Sequence, residues 1–269
     1  MLLKIGKSIS AHIPLVGRVV NDARSVSRMT NVEFQDAVVE KTEGWLNRFT
    51  SLRTMDILDF QHDNGIGGPL MEIGVFCGKY FSLLARSAQR NGDKLLGIDT
   101  FQWRDEKHVL KMLSLSDETL KADVTLWHRH SSACSTEDIL SQLGGKARFI
   151  SIDGSHECDD VFLDLQLCEN LVAHNGIIAA DDFLNPLTLG VNEAIHKFFA
   201  VPRLVVPVAY ISNKLFLAHR ASAAQYKEML EAAILADEVE PQAKNFRAQL
   251  AKGRHFVEQP LWGQKVVVA

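Results

Sequence analysis

The sequence has no apolar run long enough to cross a membrane and no excess of basic residues. A membrane-spanning helix needs about 20 consecutive apolar residues, and Asp, His or Arg interrupts every candidate stretch. The chain carries 29 Lys and Arg against 33 Asp and Glu, a formal charge of −4, whereas neutralising nucleic-acid phosphates needs a surplus of cations. We therefore expect neither a transmembrane segment nor a nucleic-acid partner.

Cysteine is also scarce. The four cysteines, Cys77, Cys134, Cys158 and Cys168, form no CxxC pair and show no zinc-like spacing. A chain of 269 residues can bury a core without disulfides. Cations interrupt the apolar positions of residues 1–28 instead of preceding them as in a signal peptide. We predict a cytoplasmic protein with reduced thiols.

What the sequence does contain is a regular alternation of short β-rich runs with segments of helical period, over residues 68–219. This alternation is typical of a parallel sheet with helices on both faces. It predicts an α/β, Rossmann-like, doubly wound sheet of seven strands. The predicted strands are Leu70–Val75, Lys94–Asp99, Val124–Arg129, Ala147–Asp153, Gly176–Asp182, Leu204–Ala209 and Lys214–Ala218.

The last two predicted strands are joined only by Tyr210–Asn213. Because a parallel crossover needs a dozen or more residues, these strands should form an antiparallel hairpin. The sheet is therefore expected to be mostly parallel, with one antiparallel strand in a C-terminal hairpin. We predict three parts: an N-terminal helical segment (1–63) that caps or forms an interface, a main domain (64–220), and a C-terminal helix and tail (221–269).

A glycine-containing turn follows the first predicted strand, in Glu72-Ile-Gly74-Val-Phe-Cys-Gly78, and leads directly into a helix. Glycines let a backbone approach a ligand closely, and a helix N-terminus favours an anionic group. Asp99 ends the second strand and could accept hydrogen bonds from ribose hydroxyls. Singly, these features are also explained by a tight turn and a helix N-cap. Together they favour an adenosine-containing cofactor.

Three acids follow the fourth and fifth predicted strands: Asp153, Asp181 and Asp182. If these strands are neighbours, the acids converge at the ligand-facing edge of the sheet. Their mutual repulsion then calls for a cation, and all-oxygen ligands suit Mg²⁺, Mn²⁺ or Ca²⁺ better than zinc. The alternative is a set of helix caps and turn acids. His156, three residues after Asp153, could accept a proton from a hydroxyl there, or act as a cap or further ligand.

In order and spacing, Glu72-x-Gly74-x-x-x-Gly78, Asp99-x-Phe101, Asp153-Gly154-x-His156 and Asp181-Asp182 resemble class I S-adenosylmethionine (SAM)-dependent methyltransferases. Within these they are most similar to the metal-dependent, macrocin O-methyltransferase-like enzymes that modify sugars of antibiotics. The resemblance covers residues 54–219. It departs from the family in lacking the middle glycine of the commonest turn, and in having Ser155 where some relatives carry an acidic base.

The resemblance implies a role for each motif. The cofactor-binding residues would be Glu72, Gly74, Gly78, Asp99, Phe101 and Ser132, with Ser132 near the adenine. The metal ligands would be Asp153, Asp181 and Asp182, and Asp153 and His156 would be the catalytic residues, His156 as the general base.

These roles predict SAM-dependent methyl transfer to a hydroxyl of a sugar or vicinal-diol acceptor, assisted by Mg²⁺ or Mn²⁺. A nicotinamide-dependent oxidoreductase is one alternative, but it explains neither Asp181-Asp182 nor the antiparallel hairpin. A SAM-binding partner protein without catalysis is another. The basic N-terminal segment, with Arg18 and Arg24 around the apolar stretch Ile13–Val20, could contact an anionic membrane or a second subunit. We favour the second subunit, and hence a homo-oligomer.

Overall fold

The computed structural model describes residues 26–117, 120 and 123–269. The predicted amphipathic segment Ile13–Val20, with Arg18 and Arg24, lies outside the described residues. No helix in the described part of the chain is both long and apolar enough to cross a membrane.

Several helices begin at residues whose side chains cap them. Thr30 accepts a hydrogen bond from the Glu33 backbone while Glu33 reaches back to Thr30, and Asn47 accepts from the first turn of the next helix. The helices are α1 (Asn31–Ala37), α2 (Arg48–Asp63), α3 (Lys79–Asn91), α4 (Glu106–Ser116), α5 (Thr136–Leu143), α6 (Cys158–Leu171), α7 (Leu189–Phe198), α8 (Ala223–Ala236) and α9 (Pro241–Lys252).

The strands form one sheet in the order β3-β2-β1-β4-β5-β7-β6-β9-β8. Strands β1 to β5 are parallel, and β7 runs antiparallel to both β5 and β6. The strands are β1 (Leu70–Ile73), β2 (Leu95–Asp99), β3 (Val124–His128), β4 (Ala147–Ile152), β5 (Val172–Ala180), β6 (Val205–Ile211), β7 (Lys214–His219), β8 (Glu258–Leu261) and β9 (Gln264–Val268).

Helices cover both faces of the sheet, as expected for a doubly wound fold. One buried apolar cluster joins the sheet to α2, α3 and α8 through residues such as Leu58, Leu83 and Tyr226. The cluster on the other face joins it to α5, α6 and α7, with Leu165 and Ile195 at its centre. The predicted α/β class and mostly parallel sheet are confirmed.

The prediction was wrong in two respects at the C-terminal end. The sheet has nine strands, because β9 pairs with β6 in parallel and β8 pairs antiparallel with β9. The apolar run Val266–Val268 lies in β9, whereas the polar sequence of β8 gives little strand signal. The expected polar tail contains α9, which buries only Ala243 and Phe246 and so shows a weak apolar pattern.

Candidate active site

The glycine turn packs directly against the loop that follows β4. Gly74 has φ +84°, and a Cβ added there would lie 1.9 Å from the carbonyl oxygen of Asp153. Gly78 has φ +85° and precedes α3, whose N-terminus no side chain caps. Only glycine fits at position 74, because the backbone of the glycine turn is in direct contact with the backbone of Asp153.

Asp99 supports this turn from the end of β2. Its Oδ2 accepts hydrogen bonds from the backbone N–H groups of Val75 (2.7 Å) and Phe76 (2.8 Å), and its Oδ1 accepts one from Phe101 (2.6 Å). The alternative role as a helix cap is wrong, since Asp105 caps the following helix, α4. Asp99 therefore stabilises the backbone conformation of the glycine turn. Its predicted contact with a ribose stays a prediction.

The other two predicted cofactor residues lie along the same edge of the sheet. Phe101 is buried and packs its ring edge-to-face on His128, with centroids 5.5 Å apart. His128 ends β3 and pairs with Asp99. Ser132 is exposed on the short helical turn after β3, where its Oγ lies 2.8 Å from His130 Nδ1.

Strands β4 and β5 are neighbours, so the predicted acids converge. Ile152 pairs with Ala180, so Asp153 and Asp181 follow at neighbouring strand ends, and burial together with the nearby Asp181 carboxylate raises the pKa of Asp153. Asp182 adopts φ +60°, and its Oδ2 lies 3.1 Å from His156 Nε2. Asp153, His156 and Asp182 each place one potential ligand atom within 4.8 Å of the others. All four predicted residues line one small cavity, but Asp181 does not belong to the group of three whose ligand atoms lie within 4.8 Å of one another.

Lys214 belongs to this cluster, and the sequence analysis gave it no role. Lys214 is the first residue of β7 and is 1% exposed. Its Nζ lies 3.0 Å from Asp181 Oδ2 and 4.4 Å from the ring centroid of Tyr80. A lysine opening an otherwise apolar strand was the available signal. Its partner could be found only from the pairing of β7 with β5.

The charges in the cluster are strongly coupled. Burial raises the pKa of Glu72 and of Asp153 well above their usual ranges, while the nearby Lys214 ammonium lowers both. Burial lowers the pKa of Lys214, but Asp181, Tyr80 and Asp153 outweigh it and raise that pKa overall. Glu72 Oε2 and Asp181 Oδ1 are buried without a hydrogen-bond partner among the described residues. These two carboxylate oxygens are therefore available to bind a cation.

The chain was compared with known proteins. Residues 71–183 match the family model described as a methyltransferase domain. No curated protein matches the chain. A solved structure entitled apo CalS11, TDP-rhamnose 3'-O-methyltransferase, is 17% identical and superposes with a TM-score of 0.51, covering 64% of this chain and 80% of that one. The O-methyltransferase NovP is 13% identical with a TM-score of 0.51, covering 62% and 80%.

At these identities the two structures establish the fold alone. The family match rests on the sequence itself and spans the glycine turn, Asp99 and the whole acid cluster up to Phe183. Residues 71–183 are therefore similar in sequence to a methyltransferase domain, and they lie within a Rossmann-like, mostly parallel sheet.

Proposed function

We propose that this protein is a SAM-dependent O-methyltransferase that methylates a hydroxyl of a sugar or another vicinal diol, assisted by Mg²⁺ or Mn²⁺ and by His156 as general base. The observation that carries the proposal is the contact between the glycine turn and the Asp153 loop. This contact brings the glycine turn next to a group of carboxylates and an imidazole, an arrangement in which a methyl donor bound at the turn would meet a hydroxyl acceptor bound at the carboxylates.

The cofactor half of the site suits SAM. Gly74 and Gly78 give the turn its positive φ angles, and the uncapped N-terminus of α3 can face the carboxylate of the methionine part. Glu72 lies buried beneath the turn, with Oε2 unpartnered among the described residues, and would stabilise the positive charge of the donor. Asp99, Phe101 and Ser132 line the edge assigned to the ribose and adenine.

The other half of the site fits a hard divalent cation. Asp181 Oδ1 is buried and unpartnered while Lys214 binds Oδ2, so one oxygen remains for an ion. Asp153 and Asp182 supply further oxygens, and carboxylates are the ligands that Mg²⁺ and Mn²⁺ prefer. When bound there, such an ion would fix two adjacent hydroxyls of the acceptor and make them more acidic.

His156 is placed to move the proton. Its side chain is about half exposed, and Nε2 lies 3.1 Å from Asp182 Oδ2. That contact holds the imidazole beside the carboxylates proposed to bind the ion, where a neutral ring would accept the hydroxyl proton as the carbon–oxygen bond forms. Ser155 lies beside it and has no basic group, so His156 is the residue we assign to this step.

A sugar-bearing acceptor is the substrate class that we favour. Two adjacent hydroxyls can bind one ion together, and the structurally similar CalS11 is entitled a TDP-rhamnose 3'-O-methyltransferase. We propose a small-molecule or glycan acceptor with vicinal hydroxyls, and a homo-oligomeric protein acting in the cytoplasm.

The direct test is a methylation assay with isotope-labelled SAM and a panel of sugars and catechols, run with Mg²⁺ and with EDTA. We expect label transfer that stops in EDTA and returns with excess Mg²⁺. His156→Gln should lose turnover, whereas Asp159→Asn, an exposed acid on the adjacent helix, should retain it. Thermal stabilisation by NAD and not by S-adenosylhomocysteine would instead support an oxidoreductase.

A further inference from the structure

A second group of metal-ligating side chains lies on the outer side of the glycine turn. Glu43, Cys77 and His108 each place one ligand atom within 4.8 Å of the others. Cys77 lies in the turn itself, Glu43 precedes α2, and His108 is on α4. Three segments far apart in sequence therefore bring a thiol, an imidazole and a carboxylate to one point.

The burial and the hydrogen bonding of these side chains suit ligands of a metal ion. Cys77 is fully buried, with its thiol close to the Glu43 carboxylate. His108 Nε2 is buried and has no hydrogen-bond partner among the described residues. A buried nitrogen without a partner is unfavourable in a folded protein. An ion bound to the imidazole and the thiolate would relieve that cost.

The surrounding packing holds the three segments in place. A Cβ added at Gly78 would lie 3.2 Å from Val109, so α4 packs closely on the turn. On the other side, Lys79 Nζ donates to the Gly44 carbonyl at 3.2 Å, and Trp45 stacks on Phe76 with centroids 5.5 Å apart. The cluster thus rests on a fixed framework.

Arg104 already binds one oxygen of Glu43, with Nη2 2.7 Å from Oε1, in an exposed ion pair. A carboxylate offers two oxygens and about four acceptor positions, so it can accept from Arg104 and still bind an ion. With the thiol ionised, the cluster would combine two negative charges with that one guanidinium.

We propose that Glu43, Cys77 and His108 form a zinc site, distinct from the aspartate cluster, that ties α4 and the segment before α2 to the glycine turn. A sulfur, a nitrogen and an oxygen ligand with a fourth position open form a set that zinc accepts and Mg²⁺ does not. The two clusters would therefore select different metals. Zinc binding would replace the thiol proton with the ion.

The experiment is a titration of the full-length chain with Co²⁺, whose bond to a thiolate gives a charge-transfer absorption that oxygen ligands do not. We expect this absorption at one Co²⁺ per chain and its loss when Zn²⁺ is added. Cys77→Ser should abolish it, and His108→Asn should weaken or abolish it. Cys158→Ser is the matched control, since that thiol lies near the Glu193 carboxylate but belongs to no group of three ligating side chains among the described residues.

Asp153→Asn separates this site from the proposed active site, because it should leave the thiolate absorption unchanged. A thermal unfolding scan of each variant checks that it folds. The inference is overturned by wild-type protein that shows no thiolate absorption, by Cys77→Ser that retains it, or by Cys158→Ser that loses it.

Discussion

Lys214, the first residue of β7, places its Nζ 3.0 Å from Asp181 Oδ2, and the lysine is 1% exposed. The Lys214 ammonium opposes the repulsion among three acids, Glu72 in β1, Asp153 just after β4 and Asp181 just after β5. Its removal leaves uncompensated negative charge in a site with little access to water.

Lys214→Met should therefore lower the free energy of unfolding by about 3–5 kcal/mol, the usual cost of breaking a buried ion pair from one side. Denaturant unfolding at neutral pH measures it. The matched control is Lys197→Met, which breaks a pair of similar length, 3.0 Å to Asp159, on the exposed surface. Equal effects of the two substitutions would show that Lys214 does not compensate the acid cluster.

Asp164 on α6 should make stability fall as pH rises. Burial raises the pKa of its carboxyl to about 6, against the hydrogen bond from Ser131 and the charge of His130, which lower it. Between about pH 4 and pH 6 the unfolded chain loses this proton and the folded chain keeps it, so ionisation favours unfolding.

Asp164→Asn should thus be no more stable than wild type at pH 4 and progressively more stable up to pH 6, by at most about 3 kcal/mol. Unfolding measured across this pH range with Asp159→Asn, an exposed acid of the same helix, as control would reveal it. A difference between variant and wild type that does not change with pH would contradict the prediction.

Gly74 should tolerate no side chain. An alanine Cβ would overlap the Asp153 carbonyl at 1.9 Å. Gly74→Ala should destabilise the chain by at least about 2 kcal/mol more than Gly92→Ala, because overpacking adds to the strain of a positive φ. Gly92 has φ +67° with nothing within 4 Å, so it isolates the backbone strain. Similar unfolding midpoints for the two variants would argue against the close contact.

Most of the sheet and the position of the acid cluster could be predicted from sequence because they depend on local signals. Apolar β-rich runs mark β1 to β7, and residues that follow neighbouring parallel strands must meet at one edge. Asp153, Asp181 and Asp182 met this condition.

Other features depend on contacts between distant segments. Lys214 gains its meaning only from the antiparallel pairing of β7 with β5, and His108 only from the packing of α4 on the glycine turn. Helix α9 and strand β8 bury few side chains, so their apolar patterns are weak. Asp99 was expected to face a ribose, and its hydrogen bonds to the turn backbone could not be read from the strand pattern.

The most direct test of the central claim is a Mn²⁺ titration of the full chain followed by electron paramagnetic resonance of the free ion. We expect the wild-type protein to bind one tight Mn²⁺ per chain that Mg²⁺ displaces. Asp153→Asn and Asp182→Asn should lose this binding, whereas Asp159→Asn and Cys77→Ser should keep it. Mn²⁺ binding that is equally strong in wild type and Asp153→Asn, or absent from the folded wild-type protein, would contradict it.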